Sequence, residues 1–251
     1  MDEKFLKRYD RSIRLDGFGV SGQEKLFDSS FLVVGAGGLG TAVLLYLAAA
    51  GAGRITVMDS DRVEVSNLAR QAAHGTDDIG REKAFSAADA AFRINPGTVI
   101  TPLSQRLTRA NMGKIAAGFE FIIDAADNFF TKYLINEYCV KNKIPYCHAG
   151  VQGFSGQIMT YAPGRACLAC VFGDEPAAGT YTEPAEEGVL GPAVGFAGTM
   201  QAAEAVKYVT AAGEPLTNCF YSFDMKKNSH KIIKAQRRED CAVCGKGGKN
   251  G

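Results

Sequence analysis

Hydrophobic positions along the chain fall into short runs that alternate with longer segments of helix-forming residues. Phe31 to Val34 is a β-branched and aromatic run ending in glycines, and Leu39 to Ala50 follows with strong helix formers and no proline, so the order is strand, tight turn, helix. Ile55 to Met58 predicts the next strand. A strand–helix–strand unit of this length implies a parallel pair joined by a right-handed crossover. The pattern repeats through a helix from Arg81 to Ile94, stopped by Asn95-Pro96, a strand from Val99 to Leu103, a helix near Arg109 to Ala117 and the apolar run Phe119 to Ile123. Phe129 to Lys141 then reads as helix and Pro145 to Val151 as strand.

After Gly150 the strict alternation ends. Gly156 to Tyr161 predicts a strand, Pro192 to Ala212 a long Ala- and Gly-rich helix, and Phe220 to Phe223 and Lys231 to Ala235 two closing strands. Between them, Gly173 to Gly191 is rich in Gly, Pro, Glu and Thr without hydrophobic period, which predicts a long mobile loop. The fold expected is α/β: a Rossmann-like, mostly parallel sheet flanked by helices, with a C-terminal antiparallel extension and a zinc-clipped tail. It forms one domain over residues 1–245, with a nucleotide-binding core at about 30–150, a second part at about 151–245, and a disordered tail at 246–251.

Composition narrows the function classes. The chain has 251 residues, 46% hydrophobic and 22% charged, with a net charge of +1. That balance describes an ordinary globular domain and argues against nucleic acid as a partner, since phosphate-backbone binding needs a concentrated positive surface. One basic stretch, Lys226 to Arg238, reads as a solvated strand at a sheet edge with Ile232 and Ile233 facing inward. The longest apolar run, Ala42 to Gly53, is too short and too glycine-broken to cross a bilayer, and Met1-Asp2-Glu3-Lys4 lacks a signal-peptide pattern, so no membrane partner and a cytoplasmic location are expected.

Two motifs carry chemistry. Gly35-Ala36-Gly37-Gly38-Leu39-Gly40 has Gly-x-Gly-x-x-Gly spacing between strand and helix, where a phosphate can approach the backbone and meet free helix N–H groups. Asp59, at the end of the next strand, stands where an acid would hold ribose hydroxyls. The second motif is a pair of Cys-x-x-Cys knuckles, Cys167/Cys170 and Cys241/Cys244, whose four thiolates suit a closed structural zinc site. The remaining cysteines, Cys139, Cys147 and Cys219, read as core residues.

The glycine loop alone suggests a dinucleotide and an NAD-dependent oxidoreductase. Other polar residues do not suit hydride transfer. Ser66-Asn67-Leu68-Ala69-Arg70-Gln71 follows the second strand, Lys83 opens the next helix, and Asp127-Asn128 follows the fourth apolar run. In a parallel sheet the residues just beyond strand C-termini converge, so Asp59, Asn67, Arg70 and Asp127 can meet at one edge. A guanidinium, an ammonium and a carboxylate gathered there suit a metal-bound triphosphate, with Asp127 on Mg2+ and Arg70 and Lys83 neutralising phosphate charge. The same residues have plainer readings: Arg70 and Lys83 as surface charges, Asp127-Asn128 as a helix cap.

Together with Arg8-Tyr9-Asp10-Arg11-Ser12-Ile13 and Gly191-Pro192, the glycine loop, Ser66 to Gln71, Lys83, Asp127-Asn128 and both knuckles resemble the ThiF/MoeB/HesA family, bacterial relatives of ubiquitin-activating enzymes. The resemblance runs from about Leu6 to Cys244 in unchanged order. It implies ATP-dependent adenylation of the C-terminal glycine carboxylate of a small ubiquitin-like sulfur-carrier protein ending in Gly-Gly. By that resemblance Gly35, Gly37, Gly38, Gly40, Asp59, Asp61, Ser66, Asn67, Arg70, Lys83, Asp127 and Asn128 belong to the ATP site. Arg11 would be supplied to the neighbouring subunit of an obligate homodimer, and a sulfurtransferase or cysteine desulfurase would donate sulfur. One departure stands out: Pro184 occupies the loop position where relatives carry a cysteine, so a covalent loop step is not expected. A non-catalytic carrier-binding scaffold is the remaining alternative to the adenylyltransferase and the oxidoreductase.

Overall fold

A computed structural model describes residues 3–175 and 188–246. The interior of the expected mobile loop, with Pro184, and the tail from 247 lie outside the described residues. The chain opens with two helices, α1 (Glu3–Ile13) and α2 (Gly19–Asp28). It continues through β1 (Ser30–Val34), α3 (Gly38–Ala50), β2 (Arg54–Met58), α4 (Lys83–Ile94), β3 (Val99–Leu103), α5 (Met112–Ala116), β4 (Phe121–Asp124), α6 (Phe129–Asn142) and β5 (Tyr146–Gln152). After that come β6 (Ser155–Tyr161), α7 (Leu168–Phe172), α8 (Gly191–Thr210), β7 (Cys219–Asp224) and β8 (Ser229–Lys234).

All eight strands join one sheet in the order β3-β2-β1-β4-β5-β6-β7-β8. The first five run parallel and the last three are added antiparallel. Strand order therefore reverses between β1 and β4, where crossovers leave the sheet to opposite sides and a crevice opens beyond the strand C-termini. Alternation within the strands builds two cores. Phe31, Val33, Phe121 and Ile123 face α3, α4 and α8, while Leu32, Val34 and Ile122 face α6 and α7.

Three expectations need correction. Neither α1 nor α2 was expected: Gly19 and Gly22 weaken the helix signal of α2, whereas α1 does carry one, since Phe5, Leu6, Tyr9 and Ile13 recur at helical spacing. The helix expected at 109–117 is only the five residues of α5: Asn111 before it turns its Oδ1 back to accept the Thr108 N–H, and Gly118 after it lies in the left-handed region (φ +83°). Ile232 and Ile233 are not inside: β8 is the uncovered edge strand, and their side chains are 63% and 40% exposed. Adjacent strand residues face opposite sides, so the two could not both have faced one core.

Candidate active site

The glycine loop joins β1 to α3 at the point where strand order reverses. Its backbone is pinned on both sides, Gly35 N–H to the Met58 carbonyl (2.7 Å) and Ala125 N–H to the Val34 carbonyl (3.0 Å). Its glycines have different tasks. A methyl group on Gly40 would overlap the Gly35 carbonyl oxygen, and one on Gly38 would lie 2.5 Å from Val194 of α8, so these two allow helix packing. At Gly37 the nearest atom to such a methyl is Gln71 Nε2 at 3.7 Å, and Gly37 lines a cavity of about 820 Å³. This is the glycine that leaves room for a ligand.

Most of the expected polar set lines that cavity: Asp59, Asp61, Arg70, Lys83, Asp127 and Asn128. Lys83 is nearly buried at the first position of α4, where the helix dipole disfavours a cation, and its Nζ lies 3.2 Å from Asp61 Oδ2. Arg70 spends one Nη1–H on the Ser66 carbonyl at 2.8 Å. Its remaining guanidinium donors are available to a ligand. Asp59 accepts the N–H groups of Ala36 (2.7 Å) and Asp61 (2.8 Å), tying the glycine loop to the end of β2; burial, opposed by those bonds, raises its pKa above the usual carboxylate value. Asn128 caps α6, its Oδ1 accepting Thr131 N–H at 2.9 Å, so the cap reading of this residue holds alongside its place on the cavity wall.

Three residues of the expected set lie off the wall. Gly40 is a packing glycine, Ser66 is exposed, and Asn67 is buried in a 3-10 turn where its Oδ1 accepts the Glu64 N–H at 3.0 Å. Ser66 and Asn67 shape the turn that delivers Arg70 and Gln71. Arg11, in the last turn of α1, is exposed and does not line the cavity of its own chain.

Sequence reasoning missed a buried cluster on the cavity floor. Asp124, at the end of β4 and wholly buried, lies 2.7 Å from His148 Nδ1 on β5 and 3.5 Å from Lys132 Nζ on α6. Lys132 also donates to the Ala149 carbonyl at 2.8 Å. Burial alone would raise Asp124, but Lys132, His148 and the Ala126 N–H hold it below the usual carboxylate range. Burial and Lys132 push His148 down against the pull of Asp124, so the imidazole is neutral and its Nδ1–H donates to the carboxylate. A second buried histidine, His74, bridges the Ala36 carbonyl (3.0 Å) and Ser86 of α4 (2.8 Å), fixing the glycine loop from behind. The available signal was a polar residue inside an apolar strand, as in Pro145-Tyr146-Cys147-His148-Ala149.

The four knuckle sulfurs meet, all within 4.8 Å of one another. Cys167 lies 3.8 Å from Cys170 and 3.7 Å from Cys241, and Cys170 lies 3.3 Å from Cys244. A tetrahedron with metal–sulfur bonds of about 2.3 Å has edges of roughly 3.8 Å, so the donor set fits zinc. Hydrogen bonds from Cys167 and from the Arg238 N–H lower the Cys170 thiol, while the same contact and burial push Cys167 up; a metal would displace the protons that the four thiols share. Between the knuckles and the cavity stands α7, which begins beside Cys167 and lends Leu168 and Phe172 to the cavity wall.

The ThiF family model matches residues 9–243. The chain belongs to the ThiF family. It is 40% identical to the SAMP-activating enzyme E1 of Haloferax volcanii over 99% of this chain and 92% of that protein. It is 36% identical to the molybdopterin-synthase adenylyltransferase of Escherichia coli over 98% of both. A crystal structure of E. coli MccB with MccA-N7isoAsn shares the fold with a TM-score of 0.85 at 23% identity, covering 98% of this chain and 83% of that one. Full-length identity at this level makes this ThiF-family chain an adenylyltransferase of the ThiF/MoeB type. Among the described residues no helix is long and apolar enough to cross a membrane.

Proposed function

We propose that this enzyme adenylates the C-terminal glycine carboxylate of a small ubiquitin-like sulfur-carrier protein. The carboxylate oxygen attacks the α-phosphorus of ATP, a P–O bond forms, and the bond to the pyrophosphate leaving group breaks. The observation that carries this reading is the convergence of Arg70, Lys83 and Asp127 around Gly37 at the strand-order reversal. Arg70 and Lys83 neutralise charge on the phosphates, and the exposed Asp127 carboxylate would hold Mg2+, which supplies further neutralisation when bound. The cavity continues from this cluster along β5 and β6, past Gly150 and Gly156, which suits a tail without side chains. Pyrophosphate exchange into ATP tests the reading. Exchange should depend on a ubiquitin-like protein ending in Gly-Gly; exchange that persists when its last glycine is deleted would exclude the nucleophile.

The working unit is a homodimer in which Arg11 serves the partner's site. Two observations support this: Arg11 lies off its own cavity, and Tyr46 of α3 with Phe85 and Phe92 of α4 present exposed aromatic rings, the last two seven residues apart on one helix face. Homodimers of Arg11→Ala and of Lys83→Ala should each be inactive. Mixed by reversible dissociation they should regain roughly a quarter of wild-type turnover, because half the dimers are mixed and each has one complete site. No recovery in demonstrably mixed dimers would return Arg11 to the surface.

The sequence holds no cysteine between Cys170 and Cys219. The acyl-adenylate is therefore passed to an external sulfur donor, a sulfurtransferase or cysteine desulfurase, rather than to a thiol on the loop. The pair of structural zinc thiolate knuckles takes no part in that transfer.

A further inference from the structure

The Asp124–His148 pair has no task in adenylation as derived above. The attacking carboxylate carries no proton, and a neutral imidazole offering a lone pair would repel phosphate oxygens. Its geometry nevertheless has the form of an oriented base. Asp124 holds Nδ1 at 2.7 Å, which fixes the tautomer and leaves Nε2 as the nitrogen with a free lone pair. The ring lies on the cavity wall beside Gly150, where a methyl group would stand 3.8 Å from Nε2. The charged groups that bear on it are Asp124 from β4 and Lys132 from α6. Burial, and after it Lys132, keeps the imidazole unprotonated at neutral pH, and Asp124 stabilises the imidazolium once formed.

Neither Cys147, next to His148 on β5, nor Cys139 can be the proton-bearing partner. Cys147 and Cys139 are wholly buried, and burial pushes both thiols well above the ordinary value. A free thiol with a pKa near about 8.5 is mostly protonated at neutral pH and gains from a base as it attacks.

We propose that His148 is the general base for the second half-reaction, in which an external sulfhydryl captures the acyl-adenylate. The inference rests on the adenylation reading above. The sulfur attacks the glycine carbonyl carbon and a C–S bond forms. The C–O bond to the phosphate breaks, AMP leaves with the electron pair, and the S–H proton passes to Nε2 of His148 and then to water. Asp124 is a positioning residue that acts through the imidazole.

The experiment separates the two half-reactions in the full-length enzyme, using ATP, Mg2+ and a purified ubiquitin-like protein ending in Gly-Gly. Pyrophosphate exchange reports the first; AMP release in a single turnover with dithiothreitol as the sulfhydryl reports the second. His148→Gly should leave exchange within about twofold of wild type and slow AMP release on the order of a hundredfold, with free imidazole restoring most of the loss. Unchanged AMP release, or exchange and release falling together without imidazole rescue, overturns the proposal. The wild-type enzyme supplies a check that needs no variant. With a base of depressed pKa, release at constant total thiol levels off by about pH 7, whereas unassisted thiolate attack climbs to about pH 8.5 and would exclude the base. Absence of carrier-dependent exchange in the wild type would sink the adenylation reading itself, and the base with it.

Discussion

Lys83→Ala will lower carrier-dependent pyrophosphate exchange on the order of a hundredfold, a loss of about 3 kcal/mol in the transition state, while leaving the melting temperature close to wild type. The position of the side chain explains both halves. An ammonium at the first turn of α4 faces the positive end of a helix dipole and is 90% removed from water, with one carboxylate at 3.2 Å that is itself 57% exposed. Such a cation contributes little to stability, so removing it costs little. Its benefit comes when negative phosphate enters the cavity. Arg70→Ala should behave in the same way, and Arg70→Lys should recover only part of the loss, because a point charge cannot reproduce the forked donors. Asp127→Asn keeps the shape beside the α6 cap and removes the charge that would hold Mg2+, so its deficit should shrink as Mg2+ is raised. Near-normal exchange in any of these variants removes that residue from the mechanism.

The parallel half of the fold is legible in the sequence because each strand there is buried on both faces. Phe31 to Val34 and Phe121 to Ile123 are continuous apolar runs for that reason. Of the N-terminal helices, α1 is legible in the helical spacing of Phe5, Leu6, Tyr9 and Ile13, whereas α2 is not, since packing of Phe18 and Leu26 into the core holds it rather than helix propensity. The polar set on the cavity wall is legible because its residues follow strand ends, which a parallel sheet gathers at one place. Asp124, Lys132 and His148 obey no such rule. The Asp124–His148 contact spans 24 positions of sequence and becomes a pair only when β4 and β5 lie side by side. Ser66 and Asn67 show the opposite case: a polar motif near the right edge whose hydrogen bonds turn back into its own turn.

Loss of zinc should have the largest effect on the whole molecule. The purified enzyme should carry about one zinc per chain, and Cys241→Ser with Cys244→Ser should release it. Structural zinc contributes about 10 kcal/mol or more in isolated knuckle peptides. Here the body folds around its own cores, and only α7 and the segment after β8 depend on the metal, so a loss of several kcal/mol is expected, or roughly 10 °C in melting temperature for a chain of this size. Limited proteolysis should then cut the residues after β8, whose hold on the body other than the metal is the packing of Val243 and the thiol side chains and the Ala235 N–H on the Asn218 carbonyl. The effect should reach the cavity as well, because α7 starts at Cys167 and carries Leu168 and Phe172 on the cavity wall, and Phe172 packs against the His148 ring at 5.9 Å between centroids. Zinc loss therefore lowers stability and second-step turnover together, in contrast to Lys83→Ala, which lowers exchange alone. Metal-free protein with an unchanged melting temperature would show that the four sulfurs are merely close, and that the tail is held by its apolar contacts.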